Sequence, residues 1–193
     1  MAPSLFELDQ YLVRRQVFKI MGAGFHVYDK HGGLVAYSKQ KAFKLKEDIR
    51  VYSDESQTNE LLLIQARQII DFSAAYDMVD SASGSKVGAA KRKGFTSMFR
   101  DSWELMDAND QSIGSLKEDS AGMAMLRRFV NLIPQTFHIE GHGSGVGGGV
   151  VFKQHFNPFI YKLSVTISNR CALDRRLIFG AAVLVAAIEG RQQ

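Results

Sequence analysis

With 193 residues, 46% of them hydrophobic, the chain can bury one substantial core and is too short for two comfortable ones, so a single domain over 1–193 is expected. The 24 Lys and Arg against 20 Asp and Glu leave a formal charge of +4, a mild excess that suits a polyanionic partner without implying nucleic acid. The one cysteine, Cys171, excludes an internal disulfide and fits a reducing compartment, and residues 1–10, with Glu7 and Asp9, lack the basic start and apolar run of a secretory signal, so a cytoplasmic location is expected.

From 16 to about 120 the pattern is one of short apolar or alternating runs separated by turn residues, the signature of an antiparallel meander. The runs Phe25-His26-Val27-Tyr28, Leu34-Val35-Ala36-Tyr37, Ile49-Arg50-Val51-Tyr52, Leu61-Leu62-Leu63-Ile64, Ala74-Ala75-Tyr76-Asp77-Met78-Val79 and Trp103-Glu104-Leu105-Met106 are each strand-sized and rich in β-branched or aromatic residues. Six or more strands are thus expected before residue 107. Three stretches repeat one plan of strand, Asp, turn and strand: Tyr28-Asp29-Lys30-His31-Gly32-Gly33-Leu34-Val35, Tyr76-Asp77 on to Gly84-Ser85-Lys86-Val87-Gly88, and Met106-Asp107-Ala108-Asn109-Asp110-Gln111-Ser112-Ile113-Gly114. In each, the Asp is expected to bond its own backbone and an Asn or Gly to supply the positive φ of a tight turn. Their irregular spacing points to hairpins repeated within one barrel, not to a solenoid or propeller.

Residues 120–130, with Asp119 or Ser120 as N-cap, suit a short helix or an excursion packed on the barrel, and 141–149 is a glycine-rich loop. Strands resume at Val150-Val151-Phe152 and over 159–167, where Tyr161, Leu163, Val165 and Ile167 share one face and Lys162, Ser164 and Thr166 the other. The run 177–188 has no polar residue on any helical face, so a helix over about 174–189 must be enclosed on all sides. Its apolar part would cover roughly 18 Å, short of the ~30 Å of a bilayer core, and Asp174, Arg175 and Arg176 on one side and Glu189 and Arg191 on the other prevent extension. No transmembrane segment is expected. The fold that accommodates such a helix is mainly β: a closed or nearly closed barrel whose lumen the helix fills, with a long buried strand as the competing reading of 177–188.

The Asp-opened hairpins, the stretch Tyr161-Lys162-Leu163-Ser164-Val165-Thr166-Ile167 and the ending Leu173-Asp174-Arg175-Arg176-Leu177-Ile178-Phe179-Gly180-Ala181-Ala182-Val183-Leu184-Val185-Ala186-Ala187-Ile188-Glu189 together resemble the LURP-one-related proteins, relatives of phospholipid scramblases and of the Tubby C-terminal domain. The resemblance spans roughly 17–189 and implies a twelve-stranded barrel threaded by its C-terminal helix. The chain departs from animal scramblases in having no proline-rich N-terminal region, no cysteine cluster for palmitoylation and no acidic calcium-binding segment beside the final helix, which argues against scrambling.

Lys39, Lys41, Lys44 and Lys46 form one acid-free basic group, and Lys86, Lys91, Arg92, Lys93 and Arg100 a second. Each follows a hairpin, so both are candidate lipid- or anion-binding sites at barrel ends, with Phe95, Met98 and Phe99 available to enter a lipid interface; the same lysines could equally serve only to solubilise loops and edges. His138, Glu140 and His142 alternate, which on a strand aims all three at one face and would permit metal binding, though no fourth ligand is evident. Gly143-Ser144-Gly145-Val146-Gly147-Gly148 matches GxGxxG, but a strand follows it where the dinucleotide motif needs a helix. Cys171 reads as a core residue and Glu118-Asp119 as a solvated turn. No catalytic constellation remains and no cofactor is implied. The expected function is non-enzymatic binding of acidic phospholipid headgroups, peripheral to the membrane. The alternatives are a protein-interaction or structural module and a metal-dependent enzyme at His138, Glu140 and His142.

Overall fold

The structure, a computed structural model, describes residues 4–18, 22–40, 48–67, 75–93, 102–119, 134–142, 149–157 and 160–189. After a single 3₁₀ turn, Leu5–Glu7, these residues form twelve strands and one helix. The strands are β1 (Gln10–Phe18), β2 (Gly22–Asp29), β3 (Leu34–Gln40), β4 (Ile49–Tyr52), β5 (Glu60–Ala66), β6 (Ala75–Asp80), β7 (Lys86–Lys93), β8 (Ser102–Asp107), β9 (Ser112–Glu118), β10 (Thr136–Gly141), β11 (Val150–His155) and β12 (Tyr161–Ile167); the helix is α1 (Arg175–Glu189). All pairings are antiparallel and the sheet closes on itself in chain order, with β1 sealed to β12 from Gln10 opposite Thr166 to Arg15 opposite Tyr161. The twelve-stranded closed barrel expected from the resemblance is therefore the fold, and 177–188 is helix, not strand. Residues 120–130 and the middle of the glycine-rich loop, 143–148, lie outside the described residues.

Period-two alternation puts Tyr11 and Val13 of β1, Phe25 and Val27 of β2 and Tyr161, Leu163, Val165 and Ile167 of β12 into the lumen, all buried. The helix fills the remaining space. Phe179 meets Phe6 edge to face and Tyr11 at a tilt, with ring-centroid distances of 6.0 and 5.7 Å. Leu177 and Gly180, on the other side of the helix, meet Gly88 of β7 and Met78 of β6. β1 and β7 face each other across the closed order, so the helix touches opposite walls, as an all-round apolar surface requires.

Strict up-and-down order places the hairpins β2–β3, β4–β5, β6–β7, β8–β9 and β10–β11, together with the entry to α1, at one end of the barrel, the turn end. Asp29 Oδ1 accepts the backbone N–H groups of His31 and Gly33, each at 2.8 Å, and Asp107 Oδ1 those of Asn109 and Gln111, each at 2.9 Å. Two details differ from expectation. The β6–β7 turn is opened by Asp80, not Asp77: β6 runs on to Asp80, whose carboxylate accepts the Ser83 amide and hydroxyl. In the β8–β9 turn the left-handed residue is Asp110 (φ 64°), not Asn109. A fourth turn of this kind, in β4–β5, has Asp54 accepting the Ser56 amide and Gln57 at φ 59°. Each of these four hairpins has a register shift just before its turn.

The helix start is fixed at the same end. Asp174 Oδ1 accepts the Arg176 amide at 2.8 Å, an N-cap geometry, and the Arg176 guanidinium bridges Asp174 at 2.7 Å and Asp80 at 3.3 Å. Burial pushes the Asp174 carboxyl up, but the Arg176 hydrogen bonds outweigh it and hold the group below the usual range.

Candidate functional site

The basic residues singled out from the sequence separate in space. Lys86 opens β7 at the turn end, where it pairs with Asp77 at 3.2 Å and Asp110 at 2.6 Å. Arg67 joins the same group, bonded to Asp77 and Asp110. Hydrogen bonds from Lys86 and then Arg67 hold the Asp110 carboxyl below its usual range, and the Asp77 hydrogen bonds hold Arg67 firmly charged. Lys86 thus belongs to a network that pins the β8–β9 turn against β5, β6 and β7. Lys91 and Lys93 lie five and seven residues further along β7, about 16 to 23 Å away at ~3.3 Å per residue.

The pleat also divides Lys91-Arg92-Lys93. Gly88, Ala90 and Arg92 follow the lumen face, on which a Cβ at 88 would meet Leu177, while Lys91 and Lys93 face outward. Lys39, exposed near the end of β3, is four strands away from β7. Lys41, Lys44, Lys46 and Arg100, with Phe95, Met98 and Phe99, lie outside the described residues.

His138 and Glu140 do share the outer face of β10, with His142 just past its end. His138 Nε2 sits 2.8 Å from Asp119 Oδ2, however, and Glu140 is paired with Lys117, whose hydrogen bond depresses its carboxyl. Among the described residues no three His, Cys, Asp or Glu side chains converge on a point that could hold a metal ion, so the trio does not form a centre. Glu118 corrects the reading of Glu118-Asp119 as a solvated turn: it is the last residue of β9, in phase with Leu116, and points inward at 6% exposure opposite Phe137. Cys171 is half-buried against the core, as expected. The β-strand expected after the glycine-rich loop is present as β11.

Closure of the barrel creates a further grouping that no contiguous stretch reveals. Register places His155 of β11 opposite Lys162 of β12, Lys162 opposite Arg14 of β1, and Arg14 opposite His26 of β2, in one outward-facing row. Lys153 faces outward two residues from His155. His26, unlike the others, is buried at 6%, with its Nε2 held at 2.6 Å by Glu55 of the β4–β5 turn and Tyr37 packed beside it. Arg14, Lys39, Lys91, Lys93, Lys153 and Lys162 make no ion pair among the described residues. The sequence signal for this row was period-two spacing within β1, β11 and β12, but it becomes a patch only once β1 is known to adjoin β12.

Among the described residues no helix is long and apolar enough to cross a membrane. Compared with known families, residues 34–186 match the family described as LURP-one-related. No curated protein matches the chain.

Proposed function

Since the chain belongs to the LURP-one-related family, which is not a known family of enzymes, we propose that it is a non-enzymatic protein that binds acidic phospholipid headgroups at the cytoplasmic membrane surface. The observation that supports this is the contrast between engaged and unengaged charges. At the turn end Asp29, Asp54, Asp80 and Asp107 bond backbone amides, while Arg67, Lys86, Arg175 and Arg176 are paired with acids. Lys39, Lys91, Lys93, Lys153, Lys162 and Arg14 have no such partner among the described residues and lie in the middle or towards the other end of their strands. Cations that the fold does not neutralise form a standing positive field, which draws anionic headgroups with about 1 kcal/mol per Lys or Arg close to the surface.

Co-sedimentation with vesicles tests the reading. Enrichment on vesicles containing phosphatidylserine over pure phosphatidylcholine is expected, and it should vanish in about 1 M salt, where the Debye length contracts to about 3 Å. Equal recovery on both vesicle types would overturn it. A closed barrel has no edge strand on which another chain could pair, so a protein partner would have to be met by side chains and turns, and a complex that survives high salt would favour that alternative.

A further inference from the structure

The barrel wall is electrically one-sided around its circumference. The five contiguous strands β11, β12, β1, β2 and β3 carry a single acid, Asp29, which is at the turn end and hydrogen bonded into its own turn. Their outward side chains include Lys153 and His155, Lys162, Arg14 and Lys39. With neighbouring strands about 4.8 Å apart, Lys153, His155, Lys162 and Arg14 fall in a patch roughly 10 Å across. Arg14 Nε is enclosed and makes no hydrogen bond. Strands β5 to β10, by contrast, carry Glu60, Asp77, Asp80, Glu104, Asp107, Glu118 and Glu140.

Immediately after His155, at the edge of this patch, Phe156 is 60% exposed; among the described residues the other exposed large hydrophobic is Leu34, at 39%. An isolated exposed ring needs no explanation. Beside β11, β12 and β1, strands that carry no acid, it completes the pairing of charge and insertable apolar side chain by which proteins lie on membranes.

Resting on the reading above, we propose that the wall of β11, β12 and β1 is the docking face for an anionic bilayer, with Lys153, His155, Lys162 and Arg14 on the headgroups and Phe156 entering the acyl boundary. The face differs from both basic groups evident in the sequence. It commits to a membrane and not to a free phosphate: the wall is the convex outside of a barrel, which meets a layer of headgroups, and only a bilayer offers the Phe156 ring an apolar medium.

The test uses the full chain and phosphatidylcholine vesicles with and without phosphatidylserine. Lys153→Gln with Lys162→Gln should weaken binding to the serine-containing vesicles roughly 30-fold, from about 1 kcal/mol per cation, with the thermal midpoint unchanged. Lys91→Gln with Lys93→Gln removes the same charge from β7, across the barrel from β1, and should weaken binding severalfold less than the Lys153 and Lys162 pair. Phe156→Ser should lose about tenfold or more, the scale of one buried aromatic side chain. In Phe156→Trp the added indole should be quenched by brominated acyl chains, whereas Trp103, 2% exposed, should not. A wild type with no preference for serine-containing vesicles would remove the broader function and this face with it. Intact binding by the Lys153 and Lys162 variant, with loss in the Lys91 and Lys93 variant, would overturn the face and leave lipid binding standing. Equal loss of binding to inositol hexakisphosphate or DNA in solution, without quenching at 156, would replace the membrane by a soluble polyanion.

Discussion

At the turn end the acids have named partners, whereas along β11, β12 and β1 the cations Arg14, Lys153 and Lys162 have none among the described residues. The first set does structural work. Each Asp replaces backbone hydrogen bonds that a tight turn leaves open, and Arg176 ties the helix start to both Asp174 and Asp80. The second set stabilises nothing visible and places like charges side by side, with Arg14 directly opposite Lys162. Charge at one end is thus consumed by folding, and the charge on the wall is not.

Acid should break the comparison most completely, because it acts on the whole turn end together. The Asp29 carboxyl is held below its usual range by the Gly33 amide, Asp54 by Ser56 and Ser53, Asp80 by Ser83 and Asp110 by Lys86. The folded state therefore binds these protons at lower pH than the unfolded chain, so the stabilisation is fully present above the ordinary carboxylate value near pH 4 and is lost as pH falls through the depressed values. Urea midpoints should be flat from pH 7 to about 5 and fall steeply below about 4. A midpoint that stayed level at pH 3 would show that these bonds contribute little.

Next in size is Gly88→Ala. A Cβ there would lie 2.5 Å from the Met106 carbonyl oxygen and 3.2 Å from Leu177, and the backbone atom cannot swing aside. The expected cost is about 1–3 kcal/mol by urea denaturation. Gly180→Ala is the control: its nearest atoms belong to the flexible end of Met78, and the helix gains propensity, so it should cost less. Smaller again is Asp174→Ala, which removes the helix cap at about 1 kcal/mol. The same truncation on the wall, Lys162→Ala, should stay within about 0.5 kcal/mol. A Lys162→Ala loss as large as that of Asp174→Ala would erase the distinction between the two regions.

The residues that specify the fold were mostly local in sequence. The run 177–188 announces an enclosed helix because no face of it is polar, and Tyr161 to Ile167 alternates cleanly because one side of β12 is wet. β1 was not legible as a strand because Arg15 occupies a lumen position and Gln10, Leu12 and Arg14 blur the outer face. The start of β9 is legible as the strand that follows the Asp107 turn, but its extent is not, because Gly114 and Ser115 interrupt the apolar alternation, and Glu118 at its end looks like solvent chemistry until its phase with Leu116 is known. The basic groups fared differently. Contiguity suggested that Lys91, Arg92 and Lys93 act together, but strand pleating turns the middle residue inward, and the patch at Arg14, Lys153 and Lys162 joins residues more than a hundred positions apart through barrel closure. Patches of this kind follow from topology, which no local pattern encodes.

The smallest effect separates the two duties that a single turn residue can hold. Gly32, Gln57 and Asp110 occupy equivalent places, three residues after the turn-opening Asp, each with its amide directed at that Asp's carbonyl and each with positive φ. Only glycine adopts this region without strain, so Gln57→Gly should relieve about 1 kcal/mol of backbone cost. Part of that gain is offset by the greater freedom of glycine in the unfolded chain, which leaves a net stabilisation of a few tenths of a kcal/mol. Asp110→Gly relieves the same strain but deletes the carboxylate that Lys86 and Arg67 share, so its urea midpoint should fall where that of Gln57→Gly rises. Opposite signs at two equivalent positions would show that the turn-end charges, and not the turn geometry alone, hold the β8–β9 turn against the barrel; a rise in both would assign the work to geometry.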